Sequence, residues 1–564
     1  MTVVLASAFL ALGLINLDFR SSGWWQGQRR RLVAGLPLVV AYAYFSMPPL
    51  VFPQAITFLL LTLVPNTVYS FAAAARTFII ARRIVSIRRA PVLPYVIACA
   101  AVAAYGIVLT LAPIVDAGGL RDLASVVETS SPPPNADLAH VRVVPLEAAR
   151  FAGDKVIGQL GTYYQVGNYT VQLAGGRLVW AAALEFHDPI QWMIRRTSPG
   201  VIVVSAENAD APAELRQRAP MRYIPSAYLN DNLYRHVYLR YGTEEILETT
   251  LQLDDAGNPK ELATLGRPTV GWTGERVTAV VIVDPVSGAM QRIPRAEFAS
   301  LPRWISRVIP PDLALAYNLW YGLYIHGFWN SVVAKRDVHL PARAEVFGML
   351  ISGERFVWFV DHTSPATTDA SMTGFTYMDS RTGAMTYYTA TGGEFSSAGA
   401  ENAIRANPIV RQGRLLPTQP ILYNVFGQNT WVVPIIADNG KYQTLGLVQA
   451  TNGRVVVGNP SAASTSADAF SAYGDILGGR VAAGGGTKVG GTLDRIAQTG
   501  AAIYFTLRGD RRIFSLHDLG SPDAVLARSG DRVAFSIQGE EGGMTLTRDF
   551  HDISLGTKPR ETVQ

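Results

Sequence analysis

Four apolar runs, at residues 2–17, 32–51, 55–75 and 95–115, occupy the first fifth of the chain and decide most of what it can become. A helix of about 20 apolar residues matches the ~30 Å hydrocarbon core of a bilayer. The runs therefore predict four transmembrane helices, the first of them short. Arg20, Arg29, Arg30 and Arg31 lie between the first and second runs; Arg76, Arg82, Arg83, Arg88 and Arg89 lie between the third and fourth. Two crossings separate these clusters, so both face one side, and basic loops are retained in the cytoplasm. The expectation is a multi-pass protein of the inner or plasma membrane, with its N-terminus and everything after residue 115 outside the cytoplasm. Residues 1–17 lack the positive n-region of a cleaved signal peptide. Pro65, Asn66 and Pro113 break the apolar pattern, and no charged residue lies within the runs, which reads as an anchor rather than a transport path. Asn66 is expected to make an interhelical hydrogen bond.

Charge separates the same way. Residues 1–115 hold nine arginines, no lysine and one acid, Asp18, a formal +8, whereas the remainder carries 40 basic and 43 acidic residues, a formal −3. The large remainder thus has no excess with which to grip phosphates, and nucleic acid is not an expected partner. Cys99 is the single cysteine and falls inside the fourth run. That excludes Cys-based zinc clusters, iron–sulfur centres and thiol catalysis.

Beyond the runs, residues 116–143 read as a stalk, because Gly118-Gly119 and the 130–135 segment with Pro132, Pro133 and Pro134 are turn and polyproline material. Residues 459–490 read as a Gly/Ser/Ala linker. Between them a pattern repeats. Val281-Ile-Val-Asp284-Pro-Val-Ser287-Gly288-Ala-Met290 recurs as Thr376-Tyr-Met-Asp379-Ser-Arg-Thr382-Gly383-Ala-Met385, and again as Leu447-Val-Gln449-Ala-Thr-Asn452-Gly453-Arg-Val455. Each copy is an alternating strand, a turn closed by Gly, and a returning strand. The polar side chain opening the turn accepts local backbone N–H groups, and the Gly supplies positive φ. Four units follow: 144–225, 226–300, 335–392 and 393–458. Pro145 opens a helix in the first, and residues 397–407 form one in the fourth. The first unit lacks the closing Gly, and the second shows no clear preceding helix. Residues 301–334 form a separate aromatic helix that starts at Pro310-Pro311-Asp312 and carries Tyr317, Trp320, Tyr321, Tyr324, Phe328 and Trp329. Burial between units is the expectation for it, with an interfacial or partner-binding role the alternative.

A helix followed by a short antiparallel sheet ending on Asp-x-x-Thr-Gly resembles the PepSY-like module, here in four divergent copies over residues 144–457. The resemblance implies small extracytoplasmic α+β domains like those of peptidase propeptides and membrane-bound regulators. It also implies a partner that is a peptidase, a cell-wall hydrolase or another assembly subunit. Residues 491–556 read as five strands, at 492–498, 502–507, 512–516, 531–538 and 544–553, with a short non-strand piece at 521–527. That pattern looks like an OB-fold barrel, followed by a tail at 557–564. The expected architecture is an N-terminal four-helix transmembrane anchor, β-rich α+β extracytoplasmic repeats and a small C-terminal β-barrel.

Chemistry is sparse. The eight histidines include no H-E-x-x-H, and no nucleophile elbow or phosphate-binding Gly loop follows a strand. Polar clusters stand at Glu185-Phe186-His187-Asp188, Asp361-His362, His517-Asp518 and His551-Asp552, each at a strand end where Asp commonly terminates pairing. Asp284 and Asp379 are turn formers before they are calcium ligands. No catalytic, cofactor-binding or metal-binding residue is assigned, and no cofactor is expected. The reading is a non-enzymatic, membrane-anchored binding, scaffold or regulatory protein of the bacterial cell envelope. Its partners are the lipid bilayer and a protein partner or a second copy of itself. The alternatives are an envelope hydrolase assembled from distant strands and an accessory subunit of a membrane channel or transporter.

Overall fold

The computed structural model describes residues 1–555 except 18, 20–22, 52–53, 81–91, 159–162, 218–219, 353–354, 367–370, 391, 463, 478–487, 500–501, 517–521 and 542–543. Arg20, Arg82, Arg83, Arg88, Arg89, the Gly484–Gly486 run, His517-Asp518 and the 557–564 tail therefore lie outside the described residues. The chain divides into two compact units, Met1–Ala398 and Gly399–Gln564.

The apolar runs fold as α1 (Thr2–Ala11), α2 (Trp24–Ser46), α3 (Gln54–Ile80) and α4 (Val92–Val115). The expected set of four transmembrane helices does not survive. Among the described residues one helix, Leu93–Val115, is long and apolar enough to cross a membrane, and Thr2–Leu14 is apolar but short. α2 fails for a local reason: it begins at Trp24 and takes Arg29, Arg30 and Arg31 into its own first turns instead of leaving them in a loop. Its apolar remainder, 32–46, spans only about 22 Å at ~1.5 Å per residue. α3 is crossed by Pro65 and buries Asn66. Asn66 is an interhelical tie: it accepts from Arg31 of α2 and donates to the carbonyls of Gly13 (2.7 Å) and Ile15 (3.1 Å).

Residues 116–143 are packed chain rather than a free stalk. α5 (Ala117–Arg121) buries Ala117 and Leu120, Val141 and Val143 are buried, and β1 (Ser125–Thr129) joins a sheet described below.

The rest is β-rich. The first module comprises α6 (Leu146–Ile157), β2 (Tyr164–Val166), β3 (Thr170–Ala174), β4 (Arg177–Phe186), α7 (Pro189–Arg195), β5 (Val201–Ser205) and β6 (Glu214–Arg216). The second comprises α8 (Leu233–Tyr241), β7 (Glu245–Leu253), β8 (Pro259–Arg267), β9 (Arg276–Val283) and β10 (Met290–Pro294). The third comprises α9 (Pro311–Leu323), β11 (Leu340–Pro341), β12 (Phe347–Ile351), β13 (Arg355–Thr363), β14 (Gly374–Asp379) and β15 (Ala384–Thr389). The fourth comprises α10 (Ser397–Ala406), α11 (Pro408–Gln412), β16 (Leu416–Pro417), β17 (Ile421–Val425), β18 (Gln428–Ile436), β19 (Tyr442–Gln449) and β20 (Val455–Val457).

Every module is a helix followed by a four-stranded antiparallel meander: β3-β4-β5-β6, β7-β8-β9-β10, β12-β13-β14-β15 and β17-β18-β19-β20. β1 adds to the third sheet in parallel with β15. The aromatic helix expected as a separate 301–334 element is thus the opening helix of the third module, and α8 is the helix that pattern reading missed in the second. α8 is short and carries Arg235, His236 and Arg240, which blurs its apolar stripe, although Asn232 caps it by accepting the N–H of Arg235. Its Leu233, Val237 and Tyr238 lie on Ala263, Leu265, Ala279 and Val281 of the sheet.

The third-to-fourth strand turn is the common joint. Asp284 accepts the N–H groups of Val286 and Ser287 and the ammonium of Lys260, with Gly288 at φ +75°. Asp379 accepts from Arg381 N, Thr382 N and Thr382 Oγ1, with Gly383 at φ +79°. In the first module Ser205 takes this place, its hydroxyl accepting from Glu207 and Asn208. The connection that follows, residues 206–213, is longer than the other two and contains no Gly.

Residues 459–490 are likewise more than a linker, because α12 (Thr465–Ile476) buries Ala469, Phe470 and Tyr473, and Tyr473 shares a 2.7 Å hydrogen bond with Thr430. The chain then forms β21 (Lys488–Thr499), β22 (Ala502–Leu507), β23 (Ile513–Leu516), α13 (Pro522–Leu526), β24 (Arg532–Glu541) and β25 (Met544–Asp552). These five strands close into a barrel in the order β21-β22-β23-β25-β24, with β23 and β25 parallel. Phe505, Phe514, Phe535 and Phe550 fill its interior.

Candidate functional site

The polar clusters singled out in the sequence resolve one by one. Asp188 caps α7, accepting the N–H of Gln191 at 2.9 Å, while His187 beside it is exposed. Asp188→Ala should cost ~1 kcal/mol, the usual worth of an N-cap, and His187→Ala should fall within about 0.5 kcal/mol of wild type. Urea unfolding of the two variants checks this; a larger loss at His187 would contradict the capping account. His551 lies exposed near Asp523 at 3.5 Å, and Asp552, raised mainly by burial, accepts the N–H of Ser554. Burial opposes ionisation of Asp284, yet the bonds from Lys260, Ser287 and Val286 hold its carboxyl down at about 2. Its oxygens are occupied by these donors, as a turn former's should be. Among the described residues no group of three or more His, Cys, Asp or Glu is placed to hold a metal ion.

Glu185 does find a chemical neighbour, one that spacing could not show. β8 places Glu261, fully buried, within reach of the Glu185 charge on β4, and burial first and that charge second push the Glu261 carboxyl up to about 8. Burial raises Glu185 as well.

Asp361 and His362 alternate along β13 and so serve opposite faces. Asp361 accepts the N–H of Ser397 at 2.8 Å, and Arg343 holds the Ser397 hydroxyl at 2.9 Å. Burial raises this carboxyl despite those bonds. His362 turns toward α9, where it enters a polar layer with Asn318, Thr376 and His339. Its Nε2 is 3.0 Å from Asn318 Oδ1, and its Nδ1 is 2.9 Å from His339 Nδ1.

Hydrogen-bond logic assigns the tautomers. Asn318 Nδ2 donates to the Ala314 carbonyl, so Oδ1 is the acceptor for both Thr376 Oγ1 and His362 Nε2. His362 therefore carries its proton on Nε2 and accepts at Nδ1 from the Nδ1–H of His339, which leaves the His339 Nε2 lone pair available. Tyr387 stacks on His339, its centroid 4.9 Å away, and Tyr321 meets it edge-on at 5.4 Å while donating to Glu128 at 2.6 Å. Gly322 makes this approach possible, because a Cβ there would strike the His339 backbone carbonyl and ring. Burial depresses His339 to about 4 and holds His362 well below the usual imidazole range. Both rings are neutral at pH 7. The layer is a locked, neutral polar core, built to orient α9 on its sheet rather than to exchange protons near neutrality.

No family model matches the chain, and no curated protein matches it. Among solved structures, a single-residue mutant of the Synechocystis apocarotenoid oxygenase aligns at 9% identity over 53% of this chain and 48% of its own, with a TM-score of 0.14. The cobalt-substituted form of that oxygenase aligns at 8% identity over 53% and 47%, with a TM-score of 0.13. The chain spans about half the length of these structures, and similarity at this level assigns neither fold nor activity.

Proposed function

We propose that the chain is a non-enzymatic, membrane-held binding or scaffold protein of the cell envelope that acts through protein–protein contacts. On this reading α4 crosses the cell membrane. Arg76, Arg82, Arg83, Arg88 and Arg89 precede it on the cytoplasmic side, and the modules and barrel stand outside. The helix-plus-meander plan with its Asp turn supports a PepSY-like reading of the modules. The closed order β21-β22-β23-β25-β24, with α13 between the third and fourth strands, supports an OB-fold reading of the barrel.

The observation that carries the proposal is the turn after α9. The helix itself is buried through Leu313, Tyr317, Trp320 and Tyr321, but Trp329 just beyond it is 71% exposed and Val333 73% exposed, with Val332 between them also exposed. Lys335 and Arg336 border them, both exposed. Clustered apolar side chains rimmed by charge mark a contact surface, and Trp is the residue most often found at its centre. The rim is of mixed charge, because Arg336 pairs with the exposed Asp337 at 3.5 Å and leaves Lys335, among the described residues, as the cation free to meet an acid on the partner.

The full chain, purified gently from native membranes, should bring a partner with it in fixed proportion. Trp329→Ser combined with Val333→Asp should release that partner while moving the unfolding temperature little, since both side chains are largely exposed and Trp329 touches only the edge of Phe328 among the described rings. A monodisperse chain with no companion, in wild type and variant alike, sinks the proposal.

A further inference from the structure

α2 and α3 flank an open groove of about 850 Å³ that has two chemically different walls. One is apolar, from Leu14, Val33, Leu38 and Pro65; the other is Arg29, Arg30 and Arg31. A second groove of about 670 Å³ shares Val33 with this one and continues along α2 through Leu36 and Val40 to Tyr44. Together they form an apolar trough that starts at a cluster of guanidinium groups.

The cations are positioned unequally. Arg31 is fixed: it donates to Asn66 and, at 3.1 Å, to Ser70, and its guanidinium lies 5.3 Å from the ring centroids of both Tyr69 and Tyr95. Arg29 and Arg30 are exposed and make no ion pair among the described residues. Three arginines against the one acid of the first 115 residues, Asp18, leave the site positive whatever Asp18 contacts.

The larger groove sits at the end of the helices remote from the modules. Tyr95, near the start of α4, hydrogen-bonds Leu17 N at 2.9 Å and lies against Arg31. The other end of α2 meets the second module, where Tyr44 O accepts from Arg235 and Pro48 O accepts from Tyr238. With α4 in the membrane, the arginines stand at its cytoplasmic end.

We propose that this groove binds an anionic phospholipid of the cytoplasmic leaflet, with its phosphate against Arg29, Arg30 and Arg31 and an acyl chain in the α2 trough. Guanidinium groups bind phosphate oxygens through paired, charge-assisted hydrogen bonds. Basic pockets between membrane helices on this side are the known setting for anionic headgroups. A free phosphate would leave the trough wet, and a zwitterionic lipid brings its own cation to a site that already holds three. The inference rests on the placement of α4 in the proposed function. It further needs α2, which runs from the arginines to the second module, to lie beside α4 in the bilayer although its apolar stretch is shorter than a full crossing.

The test is lipid retention by the full chain, extracted from vesicles of equal phosphatidylglycerol and phosphatidylcholine and read by native mass spectrometry. The wild type should retain phosphatidylglycerol selectively. Arg29→Gln with Arg30→Gln, which spares the packed Arg31, should lower that selectivity roughly 25-fold, about fivefold for each arginine. Leu38→Trp, which fills the groove and keeps the charges, should lose both lipids. Excess inorganic phosphate should displace neither. Equal retention of the two lipids by the wild type, unchanged selectivity in the double arginine variant, or displacement by phosphate overturns the inference alone. A chain that carbonate strips from the membrane overturns it together with the placement of α4.

Discussion

Glu261→Gln should stabilise the protein, and by more at pH 8 than at pH 5. Glu261 lies on β8 opposite Leu251 and Val283, on the face that also buries Ala263 and Leu265. Burial and the nearby Glu185 charge raise its carboxyl from 4.5 to about 8. The folded protein therefore keeps a proton that the unfolded chain releases once the pH passes 4.5. Between those values unfolding releases a proton, so stability falls as pH rises, by ~1.4 kcal/mol per unit. The accumulated penalty by pH 8 is at most about 5 kcal/mol, and below pH 4.5 it vanishes. Glutamine has the same shape and no proton to lose. Urea midpoints of wild type and variant should therefore separate progressively from pH 5 to pH 8; parallel lines would show that Glu261 ionises normally.

His339→Phe acts in the opposite window. His339 is depressed from 6.5 to about 4, so its contribution is present above pH 6.5 and is lost as the pH falls toward 4, where the unfolded chain takes up a proton that the folded one refuses. At ~1.4 kcal/mol per unit this amounts to about 3 kcal/mol by pH 4, with His362 adding in the same direction. Phenylalanine keeps a ring between Tyr321 and Tyr387 but cannot donate to His362 Nδ1. At pH 7.5 the variant should be less stable by ~1–3 kcal/mol, the cost of an unsatisfied buried acceptor. Its shallower acid slope should bring the two stability curves together near pH 4. A variant as steep in acid as wild type would contradict the buried-imidazole account.

The same arrangement alters how alanine substitutions at the sequence-derived candidates should be read. His187 is exposed and Asp188 is a cap, so loss of function at His187 with unchanged stability, or at Asp188 with no more than the ~1 kcal/mol of a lost cap, would point to chemistry. Asp361 and His362 are buried and bonded, so their removal reports on packing before it reports on function.

What was legible beforehand was whatever depends on neighbours in sequence. The Asp284 and Asp379 turns, the Gly453 turn and the five strands of the C-terminal barrel follow from alternation, one acceptor side chain and one positive φ, although β21 starts at Lys488, inside the segment read as a linker. Ser205 escaped notice because it opens a longer, Gly-free connection, residues 206–213, instead of a tight turn. α8 escaped because three basic residues mask a stripe that becomes obvious once Leu233, Val237 and Tyr238 meet a sheet. The arginines of α2 show the opposite error. Hydropathy marked where apolar runs end, but the helix continued through Arg29–Arg31 because backbone hydrogen bonding does not stop at a charge.

By itself, the sequence determined the apolar N-terminal segment with its confined positive charge, the repeating strand–turn–strand units and the absence of cysteine chemistry outside Cys99. These are properties of composition and of short-range geometry. The tertiary structure alone decided that four helices are followed by four meanders, that residues 116–143 and 465–476 are packed rather than free, and that Glu185 meets Glu261 and His339 meets His362. Those pairs lie 76 and 23 residues apart. Proximity across such distances comes from which faces pack together, and packing sets the desolvation that moves their proton affinities.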